Sequence, residues 1–205
     1  VAAGSMCALA ACNLLHLRPY LLLPVDLLSF SESPFVTDLI KLRIGAPLYT
    51  PLADNNSFPY SCGAQMLTYA IAKMLGGATS IPTLRCVQFG YVVAAVLVGT
   101  ATVRALIRAA GTQPSWLWSA LAAPFLLLVA TDGRFNMYTH SLHNDGLVLL
   151  VSACAFWLLV EHTRAPRTWH VVAMAVLPAL GFCVKQSALI WAGLSTHSAR
   201  MLREG

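Results

Sequence analysis

Long apolar runs alternate with short polar segments along this chain. A helix of about 17 to 25 apolar residues crosses roughly 30 Å of hydrocarbon, and most of these runs approach or exceed that length. The alternation of apolar and polar positions that is typical of an outer-membrane barrel is missing from them. The pattern predicts an all-α integral membrane protein, built as a polytopic helical bundle. Spans are expected at about 1–25, 86–107, 116–131, 145–160 and 171–195.

The first apolar run, residues 1–17, has two interpretations. It is a spanning helix or the remains of a signal sequence. No Ala-x-Ala-like cleavage site precedes a polar mature start, which favours the helix.

A short amphipathic helix is predicted from Ala64 to Leu75, inside the long segment 26–85 between the first two spans. Its apolar residues follow i, i+3, i+4, i+7 spacing, whereas Gln65, Thr68 and Lys73 are polar. About a dozen residues cannot cross a bilayer. We therefore expect this helix to lie at the membrane interface.

A second interfacial helix is predicted from Pro34 to Ile44. Ser33 is expected to cap it, and Gly45 with Pro47 to end it. The residues expected on its apolar side are Phe35, Val36, Leu39 and Ile40.

Composition supports a membrane protein, since 58% of the residues are hydrophobic and only 10% are charged. Soluble domains carry about 25% charged residues. The net charge of +5 comes from scattered basic residues, so a nucleic-acid partner is not predicted. The six cysteines lack C-x-x-C spacing and are interpreted as small core residues rather than as disulfides or metal ligands.

The distribution of arginine predicts the orientation of the bundle. The loops 104–115 and 161–170 are basic, which is typical of cytoplasmic loops. The segments 26–85 and 131–145 would then be extracytoplasmic, in a multi-pass protein of the cell membrane. Six of the eight acidic residues would share that face: Asp26, Glu32, Asp38, Asp54, Asp132 and Asp145.

The first polar stretch, residues 26–60, is rich in proline, asparagine, tyrosine and carboxylates, which are residue types that bind sugars. A carboxylate beside a bound hydroxyl can accept its proton as a general base. Simpler interpretations stay open. Glu32 would favour a helix N-terminus, and Asp38 would pair with Lys41 on an exposed face.

The second polar stretch, residues 131–146, contains more polar groups than helix capping requires. Asn144 or Asp145 is an adequate N-cap for the helix that follows. His140, His143 and Asp145 have a spacing that allows a divalent cation as an alternative, although no metal ligand is assigned.

Lys185 and Gln186 interrupt the last apolar run. An intramembrane lysine indicates a functional site, and an anionic lipid phosphate is a natural partner for it. The alternative is a broken or re-entrant helix that exposes Lys185 at the interface.

In their order along the chain, these segments resemble the GT-C superfamily of membrane glycosyltransferases. The branch is that of protein O-mannosyltransferases and of the aminoarabinose or galacturonic-acid transferases of bacterial lipids in the cell envelope. Glu32 followed by the segment Gly45 to Tyr49 resembles the family pattern of an acid and then Gly-x-x-x-Tyr. The segment Tyr60 to Gln65 is similar to a Tyr-x-Pro-Gly element, but Cys62 stands where proline is expected.

Three further elements carry the resemblance. Arg85 matches an arginine that opens the second span, and the segment from His143 to Asp145 resembles a His-x-Asp-like element. Lys185 resembles a lysine that contacts the phosphate of the lipid carrier.

The resemblance implies an inverting transferase that uses a polyprenyl-phosphate sugar donor and a lipid, glycan or protein acceptor on the extracytoplasmic face. Glu32 or Asp38 would be the general base. The implied catalytic residues are Glu32, Asp38 and Asp145. The implied substrate-binding residues are Tyr49, Tyr60, Arg85, Arg134, His143, Lys185 and Gln186.

Family members have around a dozen spans, so residues 1–205 are interpreted as one membrane domain, the N-terminal catalytic half of a longer enzyme. The competing interpretation is a non-enzymatic membrane subunit or a transporter-like protein that binds a ligand through its outer loops. Transporters place charges near the bilayer midplane within repeated halves. The sequence shows no internal repeat, and its clustered acids avoid the spans.

Overall fold

The computed structural model describes residues 2–27, 32–51, 61–132 and 141–186. Within these ranges the chain forms seven helices and no strand, which confirms the all-helical class. The helices are α1 (Ala2–Leu22), α2 (Ser33–Ile44), α3 (Gly63–Met74), α4 (Ile81–Ala109), α5 (Trp116–Ala130), α6 (Asp145–Arg164) and α7 (Thr168–Val184).

Two of the described helices, α4 and α6, are long and apolar enough to cross a membrane, and α5 and α7 are shorter apolar helices. Only 44% of an apolar 18-residue stretch of α4, and 33% of the corresponding stretch of α6, is buried inside the protein. Large apolar side chains such as Phe125, Phe156 and Val172 are more than half exposed. Exposed apolar surface of this kind indicates association with a membrane. The number of spans stays a prediction.

Helix α4 lies at the centre of the bundle and packs against α1, α3, α5 and α6. It runs parallel to α6: Gly146 approaches Gln88 near the start of both helices, and Arg108 pairs with Glu161 near their ends. Helix α7 runs the opposite way, because Asn144 at the start of α6 donates a hydrogen bond to the carbonyl of Val184 at the end of α7.

This arrangement gives the bundle two chemically different ends. The polar end comprises α2, α3, the N-termini of α4 and α6, and the C-terminus of α7. The basic end comprises the C-termini of α4 and α6 with the N-termini of α5 and α7. A hydrophobic core supports the polar end, with Phe35, Leu39, Ala64, Ala72, Leu84, Val87, Tyr91, Leu142, Leu147 and Val184 as its buried members.

The two short helices lie where the sequence predicts them, although α2 differs in detail. Gly45 ends α2 in a left-handed conformation with φ of 70°, as expected. Glu32, not Ser33, occupies the N-cap position, so the predicted Ser33 cap is wrong. The predicted apolar face is also wrong in part, because Asp38 and Lys41 are buried whereas Ile40 is 51% exposed. The position of α3 determines which face of α2 is covered.

The cysteines correct another expectation. All six are free thiols in the described residues, and Cys7, Cys12, Cys86 and Cys183 are exposed rather than in the core.

A close approach of α3 to α7 depends on Gly63. A Cβ atom there would collide with the backbone carbonyl oxygen of Cys183. We expect Gly63→Ala to separate the helices and lower the free energy of unfolding by about 1–3 kcal/mol. Gly90→Ala is the matched control, because nothing lies within 4 Å of the added methyl group. It should be neutral or stabilise α4 by about 0.5–1 kcal/mol.

Thermal unfolding of both variants in the same detergent would measure this difference. If Gly63→Ala and Gly90→Ala unfolded at the same temperature, α3 and α7 would not approach each other so closely.

Candidate functional site

The two polar stretches meet at the polar end of the bundle. The backbone N–H of Leu142 donates a 3.0 Å hydrogen bond to Oε1 of Glu32, although the two residues are 110 positions apart. The rings of Phe35 and His143 are also in contact, with centroids 5.0 Å apart. The described acids of both stretches therefore share one end, as the orientation argument expects, whereas Asp54 lies outside the described residues. Which side of a membrane this end faces stays a prediction.

Glu32 is completely buried and forms a bidentate ion pair with Arg85. Nε and Nη2 of Arg85 each lie 2.8 Å from a carboxylate oxygen of Glu32, and the N–H groups of Leu27 and Leu142 donate two more hydrogen bonds at 3.0 Å. Burial disfavours the charged form, but these donors outweigh it and hold the pKa of Glu32 below its ordinary value of 4.5. Glu32 is thus a stable anion that joins four segments of the chain.

Arg85 uses all five of its N–H groups inside the protein. Besides the two that reach Glu32, Nη2 donates to the carbonyl of Val25 at 2.8 Å, and Nη1 donates to those of Tyr20 and Leu23. A guanidinium with every donor satisfied has none to offer a ligand phosphate. In this arrangement Arg85 fixes the end of α1 against the start of α4, and the geometry gives no support to its implied role in substrate binding.

Asp38 has the opposite environment. Its side chain is only 2% exposed, and Oδ2 has no hydrogen-bond partner among the described residues. Burial raises the pKa of Asp38 from 3.8 to about 6, although the charge of Lys41 partly opposes this. The interpretation that Asp38 and Lys41 pair on an exposed face is wrong, since Lys41 is also buried. A buried carboxylate without hydrogen bonds is costly, and such groups cluster at functional sites.

Tyr49 lies close to Asp38 at this end. Partial burial, a hydrogen bond with Cys62 and the neighbouring charge of Asp38 raise the pKa of Tyr49 above 10.0. Half of the Tyr49 side chain stays exposed, which leaves its ring available to a ligand.

A second group of predicted residues surrounds Asp145 at the start of α6. Nζ of Lys185 lies 2.7 Å from one carboxylate oxygen of Asp145, and Nδ1 of His143 lies 2.7 Å from the other. All three side chains are partly exposed, at 32% for Asp145, 24% for Lys185 and 13% for His143. The structure therefore brings together three residues that the sequence places in two distant segments.

The position of Lys185 bears on the interpretation that a broken helix exposes it, which is compatible with a phosphate partner. Helix α7 ends at Val184, and the backbone of Lys185 is extended, with φ of −159° and ψ of 129°. Helix α7 is therefore interrupted at Lys185, as the broken-helix interpretation expects, and the lipid-phosphate partner of Lys185 stays a prediction. Gln186 follows as an exposed residue.

Three buried amides at the polar end are missed by the sequence reasoning as site residues. Gln65, Gln88 and Asn144 are 1%, 4% and 1% exposed. Both amide atoms of Gln65, Oε1 of Gln88 and Oδ1 of Asn144 lack hydrogen-bond partners within the described residues. Buried polar groups ordinarily bind a partner, so these atoms are candidates to bind a ligand or ordered water. Gln88 has a sequence signal, because it is a polar residue within the long apolar run of α4.

Tyr60, Arg134 and His140 lie outside the described residues. No group of three metal-ligating side chains occurs among the residues that the structure describes. The cation site that would combine His140 with His143 and Asp145 stays an untested alternative.

Comparisons of this chain with protein-family models, with curated proteins and with solved structures gave no significant match.

Proposed function

We propose that this protein is a membrane glycosyltransferase that transfers a sugar from a polyprenyl-phosphate donor to an acceptor hydroxyl at the polar end, on the extracytoplasmic face. The observation that carries the proposal is the buried carboxylate of Asp38, whose Oδ2 lacks a hydrogen-bond partner among the described residues and whose pKa is raised to about 6. It lies at the same end of the bundle as the partly exposed cation of Lys185. The resemblance to the GT-C superfamily supplies the reaction class.

Asp38 is the general base in this proposal. A base is most effective when its pKa is close to the working pH, and a value of about 6 meets that condition. Glu32 is less suitable, because four hydrogen bonds occupy its carboxylate and lower its pKa. We assign Glu32 to positioning: with Arg85, it holds the 141–145 segment beside α2.

Lys185 binds the donor phosphate. Its ammonium already has Asp145 at 2.7 Å on one side and is 24% exposed, so its other N–H groups can reach a ligand. A cation placed where negative charge develops is a large electrostatic contribution to catalysis. Asp145, held by His143, fixes the direction of the lysine.

The reaction is a direct displacement. The acceptor oxygen attacks the anomeric carbon, and the bond from that carbon to the phosphate oxygen breaks. The bonding electrons leave with the polyprenyl phosphate beside Lys185, while the hydroxyl proton passes to Asp38. One displacement inverts the anomeric configuration. The buried amides of Gln65, Gln88 and Asn144 offer donors and acceptors to the sugar hydroxyls.

A transfer assay tests this proposal. The full chain is reconstituted in vesicles with radiolabelled polyprenyl-phosphate sugars, and Lys185→Met is compared with Lys73→Met, which removes an exposed lysine on α3. We expect transfer to fall by about 10²- to 10³-fold in Lys185→Met, because the charge that stabilises the leaving phosphate is lost. Lys73→Met should stay close to wild type.

If Lys185→Met transferred sugar at the wild-type rate, the proposed role of Lys185 in binding the donor phosphate would be refuted. A wild-type protein that transfers none of the sugars yet binds a ligand through its outer loops would support the non-enzymatic alternative instead.

A further inference from the structure

The basic end contains a cleft that the proposed reaction does not use. It lies where α6 ends and α7 begins and has a volume of about 270 Å³. Its lining residues are Trp157, Glu161, Arg164, Ala165, Arg167, Trp169 and His170. Two tryptophans, two arginines and a histidine therefore surround one cavity.

The electrostatics of this cleft favour an anion. Glu161 is already compensated, since Nη2 of Arg164 lies 2.6 Å from one of its oxygens and Nη2 of Arg108 lies 3.4 Å from the other. Arg167 adds a third positive charge, so three cations face one carboxylate. Helix α7 begins at Thr168 without a side-chain cap in the described residues, and its first N–H groups point out of the helix end.

His170 provides an independent indication of a ligand. It lines the cleft and is only 4% exposed, yet its Nδ1 has no hydrogen-bond partner among the residues that the structure describes. The Trp169 ring packs against it at a centroid distance of 4.0 Å and is itself 48% exposed. A buried imidazole nitrogen without a partner, on a residue that lines a cationic cleft, is suited to hydrogen-bond a phosphate.

We infer that this cleft binds the phosphate group of an anionic membrane lipid. The cleft opens between the ends of two apolar helices, and the exposed apolar side chains Val171 and Val172 follow it directly along α7. Tryptophan and arginine at the end of an apolar helix are typical of the level of lipid headgroups. The inference does not depend on the sugar-transfer proposal, because it concerns the opposite end of the bundle.

Lipid retention tests the inference. The full chain is placed in nanodiscs of phosphatidylcholine with phosphatidylglycerol, and the lipids that remain bound after transfer to detergent are identified by native mass spectrometry. Wild type should retain phosphatidylglycerol. Arg167→Gln should lower that retention about tenfold, as loss of a charge-assisted hydrogen bond predicts. Arg104→Gln is the matched control, since Arg104 lies at the same end but donates to Ser119 at 2.8 Å.

A second variant keeps every charge and fills the space. Ala165→Leu should reduce phosphatidylglycerol retention through volume alone, while the protein stays monodisperse. The inference would be overturned if wild type retained phosphatidylglycerol and phosphatidylcholine equally. It would also be overturned if Arg167→Gln and Arg104→Gln lowered the retention of phosphatidylglycerol equally. Displacement by inorganic phosphate without any preference for phosphatidylglycerol would assign the cleft to a free phosphate and also overturn it.

Discussion

Asp38→Asn is expected to abolish sugar transfer and, at the same time, to stabilise the protein at neutral pH. Loss of the general base should lower transfer by about 10²- to 10⁴-fold. The pKa of Asp38 rises from 3.8 to about 6 on folding. Since one pKa unit corresponds to about 1.36 kcal/mol, the charged form destabilises the fold by up to about 3 kcal/mol. The neutral amide removes that penalty.

The raised pKa of Asp38 also predicts the direction in which the free energy of unfolding changes with pH. Between pH 3.8 and about 6 the folded protein binds more protons at Asp38 than the unfolded chain does. The free energy of unfolding should therefore fall as the pH rises through this window. In Asp38→Asn this fall should disappear. In wild type the transfer rate should increase over the same range, as the base loses its proton.

Unfolding in denaturant at a series of pH values, paired with the vesicle assay, measures both effects. Arg43→Gln is the control, because it removes an exposed charge from the same helix. Its stability should stay within about 0.5 kcal/mol of wild type. An Asp38→Asn variant that is less stable at neutral pH would show that a partner stabilises the charge, and the assignment of the base would fail.

Arg85→Met is expected to be the most destabilising of these substitutions. It leaves the buried carboxylate of Glu32 without its counter-ion and removes the donors to the carbonyls of Tyr20, Leu23 and Val25. Breaking a buried ion pair from one side costs about 3–5 kcal/mol. Because domains are stable by only about 5–15 kcal/mol, much of the variant should be unfolded at moderate temperature.

The double variant Glu32→Met/Arg85→Met should recover part of this loss, since no unpaired charge then stays buried. Arg43→Met serves as the control at an exposed position of α2 and should change stability little. Thermal unfolding in detergent measures all of these variants. If Arg85→Met kept wild-type stability but lost transfer, Arg85 would contact the substrate, and its role as an anchor would be wrong.

Glu32 should have a separate effect on the free energy of unfolding at low pH. Its folded pKa is below 4.5, so the ion pair contributes stability above that value and loses it as the pH falls through the lowered pKa. This acid-side loss should be absent from the double variant. It is separate from the effect of Asp38, which has the opposite sign and a window that extends to about pH 6.

Local chemistry made several elements predictable from the sequence. The 3.6-residue periodicity located α3, and Gly45 marked the end of α2, because few other residues adopt a left-handed conformation at low cost. Apolar length identified α4 and α6 as helices able to cross a membrane. The acids, His143 and Lys185 were prominent because ionisable groups are rare in so apolar a chain.

The sequence could not predict which distant charged residues form ion pairs. Glu32 and Arg85 are 53 positions apart, and Asp145 and Lys185 are 40 apart. Nothing local decides which distant charge approaches which. The same limit explains the misassigned face of α2: a short helix with charges on several sides buries whichever face its neighbours cover.

The sequence by itself determined the helical class, the approximate bounds of α2 and α3 and the ionisable side chains of the polar stretches, since these depend on local propensity and residue type. Only the tertiary structure decided their roles. It satisfied every hydrogen bond of Arg85, left Oδ2 of Asp38 buried without a partner in the described residues, and broke α7 at Lys185. The physical reason is that burial and hydrogen bonding of a charge depend on the packing of distant helices.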